Sequence, residues 1–333
     1  MKIGVIPDVH GSTHWEKNIE NFKDCDKIVF LGDYVDSFNE DEKGLPALAN
    51  GKRIIEVAKS DPRIDLLVGN HEFENYWFGC NRCSGFQMGC YEAYHQFFEE
   101  NCDMFKIAVE YDGWVFSHAG FTKTWVEDTM KIYKERIANF EFADKPIEFV
   151  NALLKTRNVN HFAFSSRDIT GYGDSIFQGP LWVRPSALFK DYLFEKQVIG
   201  HTETRGGEVL CIKNKDLQVV MCDTASHSKY FILDTENPPE FLSLEGANRK
   251  AKEQEKEFLR ERGRIGEKKK LLRDKYNLTK SEMNRLYLIA ECDASKAAES
   301  NQSVDLWEHL DELCSKEAEK KEKERLNLLL SGI

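Results

Sequence analysis

Five times along this chain a short apolar run stops and residues that bind metals follow at once. The clusters are Asp8-Val9-His10-Gly11, Gly32-Asp33-Tyr34-Val35-Asp36, Gly69-Asn70-His71-Glu72, Ser117-His118-Ala119-Gly120 and Gly200-His201-Thr202. The runs before them are IGVIP, KIVFL, IDLLV, GWVF and KQVI. A lone Asp or His at a strand end is most often a turn former or helix cap. Five in one repeated context ask for a fold that gathers strand ends in one place. Rigid strand ends let ligands converge at small entropic cost, and the glycines let backbone approach closely. The resulting set of Asp, Asn and His side chains suits Mn, Fe, Zn or Ni, and the lack of thiolate argues against a purely structural zinc site.

The pattern around these clusters alternates strands and helices. Strands are expected at 2–6, 27–31, 64–67, 105–111, 114–117, 197–199, 209–212, 217–222 and 230–233, and helices at 17–21, 52–60, 91–101, 122–140, 147–156 and 187–192. Strands alternate with helices early and crowd together as hairpins later, which predicts an α/β fold with mixed sheets. After Asn237-Pro238-Pro239 the composition changes. Between Arg249 and Lys275 there are twelve Lys/Arg against six Asp/Glu, and no proline occurs from Gly246 onward. Two regions follow, 1–245 as the chemical domain and 246–333 as a charged helical extension. Thr279-Lys280-Ser281-Glu282 reads as a capping box ahead of Met283, Leu286, Tyr287 and Ala290, which share one helical face. A second helix is expected to carry Leu306, Leu310 and Leu313, and a third the charged run ending at 326–330, with 300–303 separating the first two.

The net charge of −11 disfavours non-specific nucleic-acid binding by the whole molecule. The charges of the arm read first as solvated helix faces; homo-oligomerisation through the C-terminal helices comes next, and nucleic acid is open as a partner without being favoured. No run approaches the roughly 18 apolar residues of a membrane span. The N-terminus turns polar too soon for a signal peptide, and nine cysteines without an export signal suit reduced thiols, so a cytoplasmic location is expected.

Taken in order, Asp-x-His-Gly, Gly-Asp-x-Val-Asp, Gly-Asn-His-Glu, a strand-end His-Ala-Gly and Gly-His-Thr resemble the calcineurin-like metallophosphoesterases. Gly-Asp-Tyr-Val-Asp and Gly-Asn-His-Glu resemble most the phosphoprotein-phosphatase branch with its bacterial and phage members. The resemblance covers residues 1–244. It implies a four-layer α/β/β/α sandwich and two divalent metal ions, manganese foremost, with Fe, Zn or Ni compatible. It also implies that Asp8, His10 and Asp33 hold one metal, and that Asp33 bridges to a second held by Asn70, His118 and His201. His71 matches the general acid and Asp36 the carboxylate that orients it. The implied reaction is in-line attack on a phosphomonoester, phosphoprotein Ser/Thr included, by hydroxide formed between the metals. Nucleotide or nucleic-acid phosphoesters are the alternative substrates, and a non-catalytic scaffold on this fold is a third reading that the intact ligand set opposes.

The branch usually continues Gly-Asp-x-Val-Asp with Arg-Gly and places Arg before Gly-Asn-His-Glu. Here those positions are Ser37-Phe38 and Val68. A guanidinium on a phosphoryl oxygen is strong and geometrically specific, so another cation is needed, and Arg184, Arg167 and Arg205 are the candidates. Cys80, Cys83, Cys90 and Cys102 have spacings that match no common zinc finger. Tyr76, Trp77, Phe78 and Phe86 either wall a pocket or fill core, and His14 is a loop histidine near the first ligand pair.

Overall fold

The computed structural model describes residues 1–78, 82–133, 145–156, 161–165, 173–204, 207–224, 229–299 and 304–331. The chain divides into two compact units, Met1–Ala251 and Lys252–Ile333.

Among the described residues the first unit contains eleven strands: β1 (Lys2–Ile6), β2 (Lys27–Phe30), β3 (Ile64–Leu67), β4 (Phe105–Lys106), β5 (Ala108–Tyr111), β6 (Trp114–Ser117), β7 (Lys196–Ile199), β8 (Leu210–Asn214), β9 (Leu217–Met221), β10 (Phe231–Asp234) and β11 (Leu242–Ser243). Its helices include α1 (His14–Ile19), α2 (Leu45–Ser60), α3 (Tyr91–Glu100), α4 (Lys123–Tyr133), α5 (Pro146–Lys155), α6 (His161–Phe164) and α7 (Pro185–Leu188). One sheet has the order β10-β1-β2-β3-β4 and the other β11-β8-β9-β7-β6-β5. In the first, β1 to β4 run parallel and β10 is antiparallel; in the second, β6, β7 and β9 run parallel, with β5 and β8 antiparallel.

Side-chain alternation makes the layers. Ile3, Val5, Val29, Leu31 and Leu67 meet Phe116, Val198 and Val220 in a core shared by strands of both sheets. Ile28, Phe30 and Leu66, the alternate residues, pack with Ile54, Ile55, Phe97 and Phe98 of the helices α2 and α3. On the second sheet Ile199, Ile212 and Val219 pack with Ala187 and Leu188 of α7. Period-two patterning with both faces apolar thus gives two mixed sheets with helices outside, the expected sandwich.

Two local expectations need correction, and a third lies partly outside the described residues. The 105–111 stretch is two strands in different sheets, β4 beside β3 and β5 beside β6. At the crossing the N–H groups of Ile107 and Ala108 donate to Asn151 Oδ1 at 2.7 and 3.3 Å, and Asn151 Nδ2 donates to Ala108 O at 2.9 Å. A side chain 43 residues away therefore satisfies the backbone where it leaves one ladder for another. The helix expected at 52–60 begins at Leu45, because Pro46 is tolerated in the first turn and Gly51 gives room for the Phe97 ring. Residues 134–140 of the helix expected at 122–140 lie outside the described residues, and its described part is α4.

Helix α8 (Leu244–Lys275) leads into the second unit, which adds α9 (Lys280–Glu299) and α10 (Leu306–Ser331). Leu278, Met283, Leu286, Tyr287, Ala290, Leu310 and Cys314 form its core. Ion pairs Arg285–Glu317 (2.9 Å) and Lys321–Glu282 (3.2 Å) join α9 and α10. The two helices expected in 306–330 are one, since only good helix formers occupy 316–325 and no Pro or Gly lies between Leu306 and Leu330. The separating residues 300–303 lie outside the described set. No helix among the described residues is long and apolar enough to cross a membrane.

The capping box is formed reciprocally. Thr279 N–H donates to Glu282 Oε2 at 2.6 Å, and Glu282 N–H donates to Thr279 Oγ1 at 3.2 Å. Thr279→Ala should therefore cost the helical unit about 1 kcal/mol, seen as a lower midpoint when its helical circular-dichroism signal is followed through thermal unfolding.

Candidate metal and catalytic centre

Five parallel strands deliver the chemistry. Asp8 and His10 follow β1, Asp33 and Asp36 follow β2, Asn70 and His71 follow β3, His118 follows β6 and His201 follows β7. All eight side chains are buried. In open α/β sheets the carboxyl ends of parallel strands are where ligands bind, and here two sheets bring theirs together.

Asp33 stands at the centre. Its Oδ2 lies 3.5 Å from His118 Nε2, 3.6 Å from His10 Nε2 and 3.9 Å from His71 Nε2. Two groups of ligand atoms lie within 4.8 Å of one another, His10–Asp33–His71 and Asp8–Asp33–His118, and Asp33 is common to both. Asp8 and His10, which the resemblance puts on one metal, each lie in a group with Asp33. Asp8 also accepts the His201 N–H, at 2.9 and 3.1 Å from its two oxygens.

Each histidine commits one ring nitrogen outward. His118 Nδ1–H donates to Leu31 O at 2.9 Å, His201 Nε2–H to Trp182 O at 3.2 Å and His10 Nδ1–H to Val35 O at 3.3 Å. His71 Nδ1–H donates to Asp36 Oδ2 at 3.1 Å. An N–H fixed on one nitrogen leaves a lone pair on the other of a neutral ring. For His118 that lone pair faces Asn70 Oδ1 at 2.8 Å, and for His201 it faces the same oxygen at 3.0 Å. Asn70 is held in this orientation because its Nδ2 donates to Cys83 Sγ at 3.4 Å.

Burial lowers the pKa of both His118 and His201, with the Arg184 guanidinium adding to the effect at His201, so both rings are neutral. Three acceptors therefore converge with no proton among them, an arrangement that a cation relieves. Burial raises the Asp8 pKa well above the carboxylate range, and Asp223 and Asp33 raise it further. Burial acts the same way on Asp33, but positive charge on any of the imidazoles that face it, His118 foremost, lowers its pKa. A buried, anionic set of oxygen and imidazole donors fits divalent cations.

His71 differs from the other rings. Burial works against its charged form, yet Asp33 and the Asp36 hydrogen bond outweigh it and raise the pKa to about 9. Asp36 is itself saturated: Asn75 Nδ2 donates to Oδ2 at 2.5 Å and the Tyr76 hydroxyl donates to Oδ1. Both partners lie on a stretch of π-helix, Glu72–Trp77, that starts directly after His71. This geometry often marks functional sites.

Backbone strain concentrates here. His10 (φ 44°), Asp33 (φ 52°), Asp36 (φ 61°) and His201 (φ 58°) all adopt the left-handed region, at a cost on the order of 1 kcal/mol each. Glycine makes the rest of the room. A Cβ on Gly69 would collide with Asp33 Oδ1, and one on Gly200 with Asp8 Oδ1.

The candidate arginines separate. Arg184 is half-buried and donates from one Nη to His201 O (2.8 Å) and Thr202 Oγ1 (3.1 Å), which puts its charge at the edge of the ligand cluster. Arg167 and Arg205 lie outside the described residues, as does Cys80. Among the described residues no metal-sized cluster includes a cysteine; Cys83 touches Asn70, and Cys102 packs in the core. Tyr76 and Trp77 fill core, with Phe78 and Phe86 packed against it, and His14 is exposed on α1.

Glu72, Asn75 and Asp223 were given no role by the sequence, and Tyr76 only that of a pocket wall or core residue. Glu72 was visible inside Gly-Asn-His-Glu, and Asp223 follows the apolar run of β9 as the ligands follow theirs. Asn75 and Tyr76 offered no signal, because their reach to Asp36 depends on the π-helical winding.

A sequence model described as calcineurin-like phosphoesterase matches residues 1–202. No curated protein matches the chain. Among solved structures, a cold-active protein tyrosine phosphatase aligns at 14% identity and a TM-score of 0.41, over 71% of this chain and 74% of that one. A metallophosphoesterase from Sphaerobacter thermophilus aligns at 15% identity and a TM-score of 0.35, over 73% and 90%.

Gly69→Ala and Gly200→Ala should each weaken Mn(II) binding by about ten-fold or more in titration calorimetry. Gly263→Ala, where an added Cβ meets nothing within 4 Å, should leave it unchanged.

Proposed function

The chain belongs to the calcineurin-like phosphoesterase family, and we propose that it is a dinuclear metal-dependent hydrolase of phosphate monoesters. The observation that carries this reading is the convergence of the His118 and His201 lone pairs on Asn70 Oδ1 beside the central Asp33 carboxylate. Asp8, His10 and Asp33 would hold one cation, and Asp33, Asn70, His118 and His201 the other, with manganese the first choice. When bound, such a pair supplies a nucleophilic hydroxide near neutral pH and neutralises charge on the transferring phosphoryl group.

The chain's own residues supply the remaining work. His71 gives its Nε2 proton to the leaving oxygen, and its Nδ1–H to Asp36 holds the ring in orientation. Asn75 and Tyr76 in turn fix the Asp36 carboxylate. Arg184 is the cation available to a phosphoryl oxygen, and the carbonyl of His201 and hydroxyl of Thr202 preset its guanidinium. A second positive charge on the phosphate favours the monoester dianion over a diester monoanion.

The test is hydrolysis of p-nitrophenyl phosphate and bis-p-nitrophenyl phosphate by protein stripped with chelator and reloaded with Mn(II). Turnover restored by metal and faster on the monoester is expected. A preference for the diester would overturn the substrate assignment, and no turnover of either would overturn the hydrolase. His71→Ala should lower kcat by about 10²–10⁴-fold while bound metal, by elemental analysis, stays near wild type. Asn75→Ala should lower kcat by about ten-fold, with a larger loss on phenyl phosphate than on p-nitrophenyl phosphate, because the poorer leaving group needs the proton more.

A further inference from the structure

Phe38 is two residues beyond Asp36, and it is 58% exposed although it stands against the buried centre. Its ring centroid is 5.4 Å from that of His10, at 57°, and 6.5 Å from that of His71, edge-on at 83°. The backbone that carries it is fixed. Asp36 before it is left-handed, Ser37 is buried with its hydroxyl donating to Glu42 Oε2 at 3.1 Å, and Asn39 N–H donates to Ser37 Oγ at 3.1 Å. Gly85 (φ +79°) abuts the same turn, where an added Cβ would sit 3.3 Å from both Asp36 O and Phe38 Cε1. The turn that carries the ring is tied down on both sides of it, so an exposed aromatic face stands at a set place beside the His10 and His71 imidazoles, where a planar group can pair with it.

We propose that Phe38 is a specificity-determining platform for the leaving group, and that the substrates it selects are aryl phosphates, in which a planar ring is bonded directly to the ester oxygen. The proposal rests on the phosphoesterase reading, since it is His71 that marks the leaving-group side of the centre. In-line displacement puts the departing oxygen at His71, opposite the attacking water. With the Phe38 centroid 6.5 Å from that of His71, a ring bonded directly to that oxygen can reach the 4.5–7 Å centroid range in which aromatic rings pair, whereas a sugar between oxygen and base would set the base farther away. The step balances as a hydrolysis. Water oxygen bonds to phosphorus keeping one proton and releasing the other, the aryl P–O bond breaks with its electron pair on the phenolic oxygen, that oxygen takes the His71 proton, and the proton released from water restores His71 at the end of the cycle. The products are a phenol and inorganic phosphate.

The experiment measures kcat/KM of the Mn(II)-loaded protein for phenyl phosphate, cyclohexyl phosphate and adenosine 5′-monophosphate, in wild type, Phe38→Leu and Phe38→Tyr. The phenyl-to-cyclohexyl ratio cancels metal loading, and its change on mutation cancels the intrinsic reactivity of the two esters. The ratio should fall by about two- to ten-fold in Phe38→Leu, which keeps apolar bulk without a ring, and recover in Phe38→Tyr. A ratio that stays constant across the three proteins would overturn the platform while leaving the hydrolase intact. Loss on the nucleotide alone in Phe38→Leu would replace the aryl assignment with a nucleoside one. If wild type hydrolyses none of the esters, the phosphoesterase reading falls and the platform with it. The exposure of Phe38 makes folding of both variants the expected case, and circular dichroism checks it.

Discussion

The Glu72 carboxylate receives three backbone N–H groups: Asp33 and Gly69 at 2.9 Å on Oε2, and Tyr34 at 2.5 Å on Oε1. These donors come from the turns that leave β2 and β3. A single buried side chain therefore locks together the two loops that present Asp33, Asp36, Asn70 and His71. Burial and the nearby Asp33 charge raise the Glu72 pKa to about 8 even against His71 and the N–H groups of Gly69 and Tyr34. So many donors on one carboxylate is how a protein keeps an acid in place in a site already crowded with negative charge.

The strained backbone follows from this packing. Left-handed φ at His10, Asp33, Asp36 and His201 turns each side chain back across the end of its own strand. Sheet hydrogen bonding ends there, so further bonds must hold the turns. His10 N–H donates to Asp33 O at 2.6 Å, Gly11 N–H to Tyr34 O at 3.0 Å, and His71 N–H to Asp33 Oδ1 at 3.1 Å. The first two join the β1 loop to the β2 loop and the third joins β2 to β3, so the strain is distributed over contacts among three strand ends. A site arranged this way is preorganised before any ligand arrives.

Much of the fold was legible because period-two alternation and full burial of short strands leave a strong mark. The runs at 2–6, 64–67 and 114–117 form strands over those same residues. The clusters that follow them were legible for the same reason, since a rigid strand that stops at a polar, glycine-flanked group has few other uses. What was not legible depends on partners far away in sequence. Asn151 splits 105–111 between two sheets, and Gly51 sits inside α2 where its missing Cβ leaves room for the Phe97 ring. Asn75 and Tyr76 reach Asp36 only because the helix after His71 is wound wide.

By itself the sequence determined which side chains are available for chemistry and that each sits at the end of a strand, because alternation and its interruption are local properties. Tertiary structure decided which nitrogen of each histidine faces inward, which oxygen of Asn70 they share, and that Asp33 is the atom common to both ligand groups. It also decided that Phe38, one more apolar residue in the string, is an exposed ring against two imidazoles. Those outcomes rest on hydrogen bonds and ring contacts across sheets, and a linear pattern carries no information on which distant carbonyl, carboxylate or ring will be within reach.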